Sequence, residues 1–200
     1  MIGTVPKQSF FRRHWPSCTL AALLVVVAVI VLALPKVVRS SRHTQLLDAL
    51  NHVRQMNILL IDFQADYGSY PNEKTAAEFA GKNHAYASEL GTESSNDFFR
   101  QFFAVDFIES EEIFYAKVRG SRRPDGQLGA GEAIAKGECG FAYVLWEDAL
   151  KIPDEGPLLI TPMIPGKREF DYELSKEHYG KKVVILRADG MVETLRINSD

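Results

Sequence analysis

The sequence predicts an α+β fold in which a long N-terminal helix spans a membrane and then packs on a small antiparallel β-sheet. Three observations support this prediction. Residues 18–34 form an uninterrupted apolar run, residues 46–67 repeat apolar side chains at helical spacing, and the C-terminal third holds branched and aromatic segments around an Asp-Gly pair. These patterns are typical of a membrane span, an amphipathic helix and strands joined by a tight turn.

The apolar run contains no charge, amide or glycine. At about 1.5 Å per residue it just crosses a hydrocarbon core of roughly 30 Å if Pro35 and the valines after it extend it. Basic residues stand on both sides, so the positive-inside rule alone does not decide the orientation. A cleaved secretory signal is an alternative, although this run exceeds the usual apolar core of about 7–15 residues. We expect a basic leader at 1–17 and a transmembrane helix at 18–38.

Composition limits the chain to one anchor and one domain of ordinary size, because it has 200 residues of which 46% are hydrophobic. The net charge of −3 argues against a nucleic-acid partner. The two cysteines, Cys18 and Cys139, are far apart in the sequence and do not indicate a disulfide scaffold.

After Pro35, which is expected to kink the helix, the sequence becomes more polar but keeps a helical rhythm. This pattern predicts an amphipathic stalk helix within 39–70 that ends at Gly68 and is followed by Pro71. One apolar stripe of this helix would pack on the sheet and against neighbouring subunits. The stripe consists of Leu46, Leu50, Val53, Met56, Leu60, Phe63 and Tyr67.

Residues 71–200 are expected to form a globular α+β domain. In its middle, residues 95–97 supply N-cap residues for a short helix whose four phenylalanines should pack against the long helix. Glycine and charge at 119–131 predict a loop. Aromatic and branched residues predict strands at 141–146, 157–164, 182–187 and 192–197.

Two details of these strands carry further predictions. Pro162 indicates an edge strand or a bulge, because proline cannot donate to a ladder. Asp189 and Gly190 predict a tight hairpin turn between the last two strands, so the aspartate is read as a structural residue and not a catalytic one.

Several segments resemble the type IV pilin-like proteins, and among these the pseudopilins of type II secretion. Residues 17–30 (SCTLAALLVVVAVI) are similar to the prepilin pattern GFTLIELLVVIAII, and residues 63–71 (FQADYGSYP) to the end of a pseudopilin helix. Further likenesses follow in the same order along the chain, at 95–100, 112–117, 137–143 and 184–192. Together the segments cover most of the chain.

The resemblance implies a structural subunit or accessory of a pseudopilus, with no catalysis. It also implies three kinds of partner: the membrane, other pilin-like subunits and a prepilin peptidase that would cut between Ser17 and Cys18. The implied location is the bacterial inner membrane, with the N-terminus cytoplasmic and the domain periplasmic. The resemblance also implies which residues belong to the membrane and assembly helix. They are Thr19, Leu20, Ala22, Leu23, Leu24, Val25 and Pro35.

The chain departs from the pilin pattern at the predicted cleavage site. Ser17 and Cys18 replace the family's glycine and phenylalanine, and Ala22 replaces a glutamate that is thought to pair with the freed amine of a neighbouring subunit. An unpaired charge in an apolar bundle is costly. The subunit would therefore enter a filament without this pairing, as a minor or tip subunit, or would remain unprocessed.

A membrane-anchored enzyme is the second hypothesis, and the sequence offers it little support. The five histidines are scattered without metal-ligand spacing, and no nucleophile elbow or phosphate-binding loop is present. A lone cysteine such as Cys139 is usually a small buried apolar residue. We therefore assign no catalytic residue.

A ligand- or calcium-binding domain on a permanent membrane anchor is the third hypothesis. Some major pseudopilins hold calcium in a C-terminal loop, and the candidate oxygen ligands here are Asp148, Asp154 and Glu155, with Asp171 and Glu173 in the next loop. Calcium prefers six to eight oxygen ligands, whereas acidic loops are usually just solvated. No cofactor is required, and calcium remains an alternative.

Overall fold

The computed structural model describes residues 10–80, 90–128, 132–146, 152–163 and 172–197; within the first helix it describes side chains at 23–31 and from residue 41 onward. The chain divides into two compact units, Met1–Ser41 and Arg42–Asp200. The sheet and the buried core belong to the second unit.

The first helix, α1, runs from Phe10 to Tyr67 without interruption at Pro35. It stops where Gly68 adopts a φ of 76°, a left-handed conformation that glycine adopts without the steric cost of a Cβ. In the part of the chain that the structure describes, no helix combines the length and apolar character needed to cross a membrane.

The predicted membrane-spanning helix at 18–38 is therefore wrong. A span needs about 20 consecutive apolar residues. The uninterrupted apolar run of residues 18–34 is 17 residues long, and the charged Lys36 and Arg39 follow it closely. The predicted inner-membrane location depended on this helix and stays a prediction.

The predicted α+β class is confirmed, with a four-stranded antiparallel sheet in the order β1-β2-β3-β4. Its strands are β1 (Ala142–Tyr143), β2 (Pro157–Thr161), β3 (Lys182–Arg187) and β4 (Val192–Arg196). The register of β3 and β4 is regular, from Lys182 opposite Arg196 to Leu186 opposite Val192. The turn between these strands contains Asp189 and Gly190, whose φ is 83°.

The first two predicted strands are shorter in the structure than the sequence patterns predict. β1 keeps only two residues. Before it, Gly140 lies against Ala116, and after it the indole N–H of Trp146 donates to the carbonyl of Pro157 at 3.0 Å. β2 ends before Pro162, lies between β1 and β3, and has its irregularity between Pro157 and Leu159. The edge or bulge predicted at Pro162 is therefore wrong.

Three short helices complete the described elements: α2 (Glu73–Ala80), α3 (Ser95–Ala104) and α4 (Tyr172–His178). A single 3₁₀ turn covers Glu112–Phe114. The helix predicted after residue 95 is α3, and its N-cap is Ser94, which forms a reciprocal capping box with Asp97. Described residues 119–128 contain no helix or strand, in line with the predicted loop.

The core lies between α1, α3 and the sheet. The four phenylalanines of α3 are buried, and the ring of Phe102 meets that of Phe63 on α1 edge to face at 5.4 Å. Val184 and Leu186 of β3 close the same cluster from the sheet side. The predicted packing against the long helix is confirmed for Phe102, and all four phenylalanines are buried.

Candidate functional site

The side of α1 predicted as a subunit interface faces the core of the chain itself. Five of its seven residues are at most 8% exposed, and the other two, Leu50 and Tyr67, are half-buried against the same cluster. The structure therefore gives this stripe an intramolecular role. A further role between subunits stays a prediction.

A second side of α1, next to the buried stripe, carries apolar residues that no described part of the chain covers. Leu47, Ile58 and Ile61 are 45%, 59% and 48% exposed. At 100° per residue they project within about 60° of one another, on a side whose centre is about 130° from that of the buried stripe and that borders the stripe at Leu50. Arg54 lies between them on the same side and forms no ion pair with any residue of the described ranges. We call Leu47, Arg54, Ile58 and Ile61 the outer face of α1.

The first unit exposes apolar side chains all around the helix. Every described residue from 23 to 31 is exposed, and this stretch includes Leu23, Leu24 and Val25 of the predicted assembly helix. The other predicted residues there, Ser17, Cys18, Thr19, Leu20, Ala22 and Pro35, belong to α1, and their side chains lie outside the described residues.

Three carboxylates form the one group in the described ranges that is close enough to hold a metal ion. Oxygen atoms of Glu111, Asp125 and Glu138 lie within 4.8 Å of one another, and both glutamates are buried while the aspartate is exposed. Three carboxylates alone fall short of the six to eight oxygens that calcium prefers.

Protein donors already satisfy the two buried glutamates of this group. Glu111 accepts hydrogen bonds from the backbone N–H groups of Ile134 and Gly126. Glu138 accepts one from the N–H of Ala135 at 2.7 Å and an ion-paired one from Arg122 at 2.8 Å. The cluster can therefore hold the surrounding loops together without an ion.

Burial in this cluster raises the pKa of Glu111 above its ordinary value, and the nearby charges of Glu138 and Asp125 act in the same direction. Its two backbone hydrogen bonds oppose that rise by favouring the ionised form.

The residues predicted as calcium ligands do not join this cluster. Asp154 and Glu155 have exposed side chains, and their backbone carbonyls accept from the N–H of Asp189 and the guanidinium of Arg187. Asp148 and Asp171 lie outside the described residues, as does the side chain of Glu173. The contacts seen at 154–155 brace the β3–β4 turn.

The nucleophile and base candidates are engaged in the packing of the fold. Burial raises the pKa of the Cys139 thiol to about 12, and the thiol donates to the carbonyl of Phe141. His52 and His178 hydrogen-bond to Tyr115 and Gln45 respectively, while His84 and the side chain of His14 lie outside the described residues. These two described histidines therefore connect distant segments of the fold.

A groove of about 780 Å³ lies between the loop at 68–74 and the segment at 143–146. Its rigid parts are aromatic: the buried hydroxyl of Tyr143 donates to the carbonyl of Pro71 at 2.9 Å, and the indole N–H of Trp146 is committed to Pro157. The described lining of the groove mixes apolar residues with polar and charged ones, among them Asn72, Glu73 and Lys74.

Sequence reasoning missed both the carboxylate cluster and the outer face of α1. The outer face follows the same helical period as the buried stripe, so the spacing of Leu47, Ile58 and Ile61 could have revealed it. No local signal could have joined Glu111 to Glu138, because loop folding brings them together. Comparison with protein-family models, curated proteins and solved structures found no match to this chain.

Proposed function

We propose that this protein is a non-catalytic, pilin-like assembly subunit that associates with similar subunits through α1. One observation carries the proposal: α1 buries one apolar side in the core and leaves Leu47, Ile58 and Ile61 exposed on an adjoining side. A helix that serves only its own domain typically carries polar residues on its exposed side. The resemblance of residues 17–30 and 63–71 to pseudopilins supports the same conclusion.

Exposed apolar side chains of this size favour association because their contact removes apolar surface from water. The three residues span about four helical turns, which suits packing along the side of another helix. Residues 23–31 add a second apolar surface, because all of them are exposed in the first unit. Packing of this kind requires neither a reaction nor a cofactor.

Site-specific photo-cross-linking from the outer face tests the proposal. A photoreactive phenylalanine analogue at Ile58 or Ile61 should capture a second pilin-like subunit in cells that express the chain. The control is Gln55, which is also exposed on α1 but lies beyond the edge of the outer face, about 60° from Ile58 and about 120° from Ile61. Equal yields from all three positions, or no product from Ile58 and Ile61, would count against assembly through this face.

A charge-insertion experiment separates the surface from the fold. Changing Ile58 and Ile61 together to lysine should abolish the cross-linked species, because lysine ammonium groups resist burial in an apolar contact. Gln55→Lys should leave assembly intact. Both variants should keep the unfolding midpoint of the wild-type chain, because all three positions are exposed.

Processing at Ser17–Cys18 is a separate part of the proposal. The intact mass of the chain, with and without a prepilin peptidase, decides it. Loss of residues 1–17 would place the subunit on the processed route despite Ala22. An unchanged mass would leave an unprocessed pilin-like subunit and would not affect the cross-linking result.

A further inference from the structure

No strand among the described residues pairs with the outer edge of β4. Backbone bonds from Arg187 to Met191 and from Ile197 to Lys181 show that the odd-numbered residues of β4 pair with β3. In an antiparallel ladder the alternate residues then direct their N–H and C=O groups away from the partner strand. Those residues are Val192, Thr194 and Arg196.

This edge is short and ends in the charged Arg196, but it lacks two other features that usually protect an edge, a proline and a bulge. β4 has no proline, its register with β3 is unbroken, and Thr194 and Arg196 are exposed. The opposite edge of the sheet differs, because the N–H of Tyr143 in β1 donates to the side chain of Ser95 at 3.0 Å. An open regular edge is a template for another strand.

Two large apolar side chains lie on the same face of β4 and its turn. Met191 and Leu195 are 49% and 40% exposed. They alternate with Glu193, whose carboxylate is held by Arg187 of the neighbouring strand. An occupant of the edge should therefore supply apolar side chains next to Met191 and Leu195.

We propose that the occupant is β4 of a second copy, paired antiparallel about a two-fold axis at Thr194. In this register Thr194 faces its own counterpart, Val192 faces Arg196 of the other copy, and Met191 faces Ile197. Leu195 faces Glu193 of the other copy and is the diagonal neighbour of its Leu195 and Met191. The symmetry thus makes the exposed apolar residues of both edges diagonal neighbours and places no like charges directly opposite each other.

The charges along the edge favour the antiparallel direction. Lys182 and Arg196 are cross-strand neighbours at one end, and neither has an ion-pair partner among the described residues. Like charges directly opposite each other are unfavourable. The two-fold arrangement turns the Arg196 end toward the turn of the other copy, which carries the exposed Asp189. A parallel arrangement would bring the two basic ends together.

A disulfide experiment reads out this register in the full-length chain. Opposed residues of a hydrogen-bonded pair have Cα atoms about 5.5 Å apart, within disulfide range. Thr194→Cys should therefore give a dimer on mild oxidation, with a 194–194 linkage found by peptide mass mapping. Arg196→Cys is the matched control, because its two copies would lie about 14 Å apart along the strands. Mixing it with Val192→Cys should restore cross-linking. No 194–194 linkage, or equal linkage at 196, overturns the proposal.

A second measurement needs no added cysteine. Thr194→Pro removes an N–H that does not serve the β3 ladder, so the fold should tolerate it while the edge loses its central donor. The oligomeric state is measured by sedimentation in a chain that also carries Ile58→Lys and Ile61→Lys. These two substitutions remove association through the outer face of α1. In that background Thr194→Val should stay dimeric and Thr194→Pro should become monomeric. A monomer in both overturns the β4 pairing, and cross-linking from Ile58 tests α1 assembly independently.

Discussion

The Nε2 atom of His178 accepts a hydrogen bond from the backbone N–H of Arg119 at 2.9 Å. The other ring nitrogen, Nδ1, lies 3.1 Å from the side-chain oxygen of Gln45 and must then carry the proton. One neutral imidazole therefore connects α4, α1 and the loop that begins at residue 119. Protonation of Nε2 would break the bond to Arg119.

This contact predicts that the folded state weakens in mild acid. Burial lowers the pKa of His178 below its usual value, and the charge of Arg119 acts in the same direction. As the pH falls, His178 is therefore protonated in the unfolded chain before it is protonated in the folded chain. Its contribution to the free energy of unfolding is complete above pH about 6.5 and declines as the pH falls toward the folded pKa. Urea unfolding between pH 8 and 5 should show this loss of stability. The loss should be smaller in the His178→Gln chain than in the wild type. An equal pH dependence in both chains would contradict the assignment.

Glu111 should contribute a pH dependence of opposite sign. Its folded pKa is raised, mainly by burial, so its contribution is complete below its ordinary pKa of about 4.5 and is lost as pH rises through the folded value. We compare the unfolding free energies of the wild type and Glu111→Gln from pH 4 to 7. The difference between the two pH dependences gives the contribution of Glu111. The wild-type chain should lose more stability across that range than the variant. The variant should also be less stable throughout, because its amide cannot accept from both Ile134 and Gly126.

Gly140→Ala should be one of the more damaging small substitutions. A Cβ at Gly140 would lie 2.4 Å from the Cβ of Ala116 and 3.0 Å from its backbone. The two segments are tied by the bond from Gly140 N–H to the carbonyl of Phe114, so they cannot separate freely. We expect a loss of about 1–3 kcal/mol, as for other overpacked sites.

The matched control for Gly140→Ala is a double variant in which Ala116→Gly returns the missing space. This chain should be more stable than the single variant, despite the added backbone entropy of a second glycine. Chemical denaturation measures both. A double variant no better than the single one would show that the close approach to Ala116 does not limit stability.

Cys139 should resist alkylation in the folded chain. Its pKa of about 12 lowers the reactive thiolate fraction about a thousandfold from a free thiol with a pKa of about 9, and burial restricts access further. Iodoacetamide treatment at pH 8 followed by peptide mass mapping should leave this peptide unmodified until denaturant is added. Rapid native labelling would reopen the thiol-enzyme hypothesis.

Patterns that depend on neighbouring residues predicted most of the described fold. The stalk helix, its end at Gly68, the phenylalanine helix and the β3–β4 turn all follow from local spacing and from residues with strong backbone preferences. The two-residue β1 could not be predicted this way. Its length depends on the packing of Gly140 on Ala116 and of Trp146 on Pro157, which are tertiary contacts.

The carboxylate cluster shows the same limit for the site. Glu111 and Glu138 are 27 positions apart, in segments whose sequence indicates only a loop and a turn. Nothing in the spacing distinguishes them from the exposed acids at 154–155, where calcium ligands were predicted. Glu111 and Glu138 differ from the acids at 154–155 because they are buried and accept hydrogen bonds from backbone N–H groups. Both differences arise only after the chain has folded.

The amide of Asn57 on α1 donates to the carbonyl of Gly190 across a separation of 133 residues, next to strands that help to cover the buried stripe. During synthesis α1 therefore leaves the ribosome long before the strands that complete its core exist. Its buried and outer faces are then both apolar and both open, so the nascent chain is exposed to premature association throughout translation of the domain. Chains stalled before residue 182 should be the form that chaperones bind most strongly.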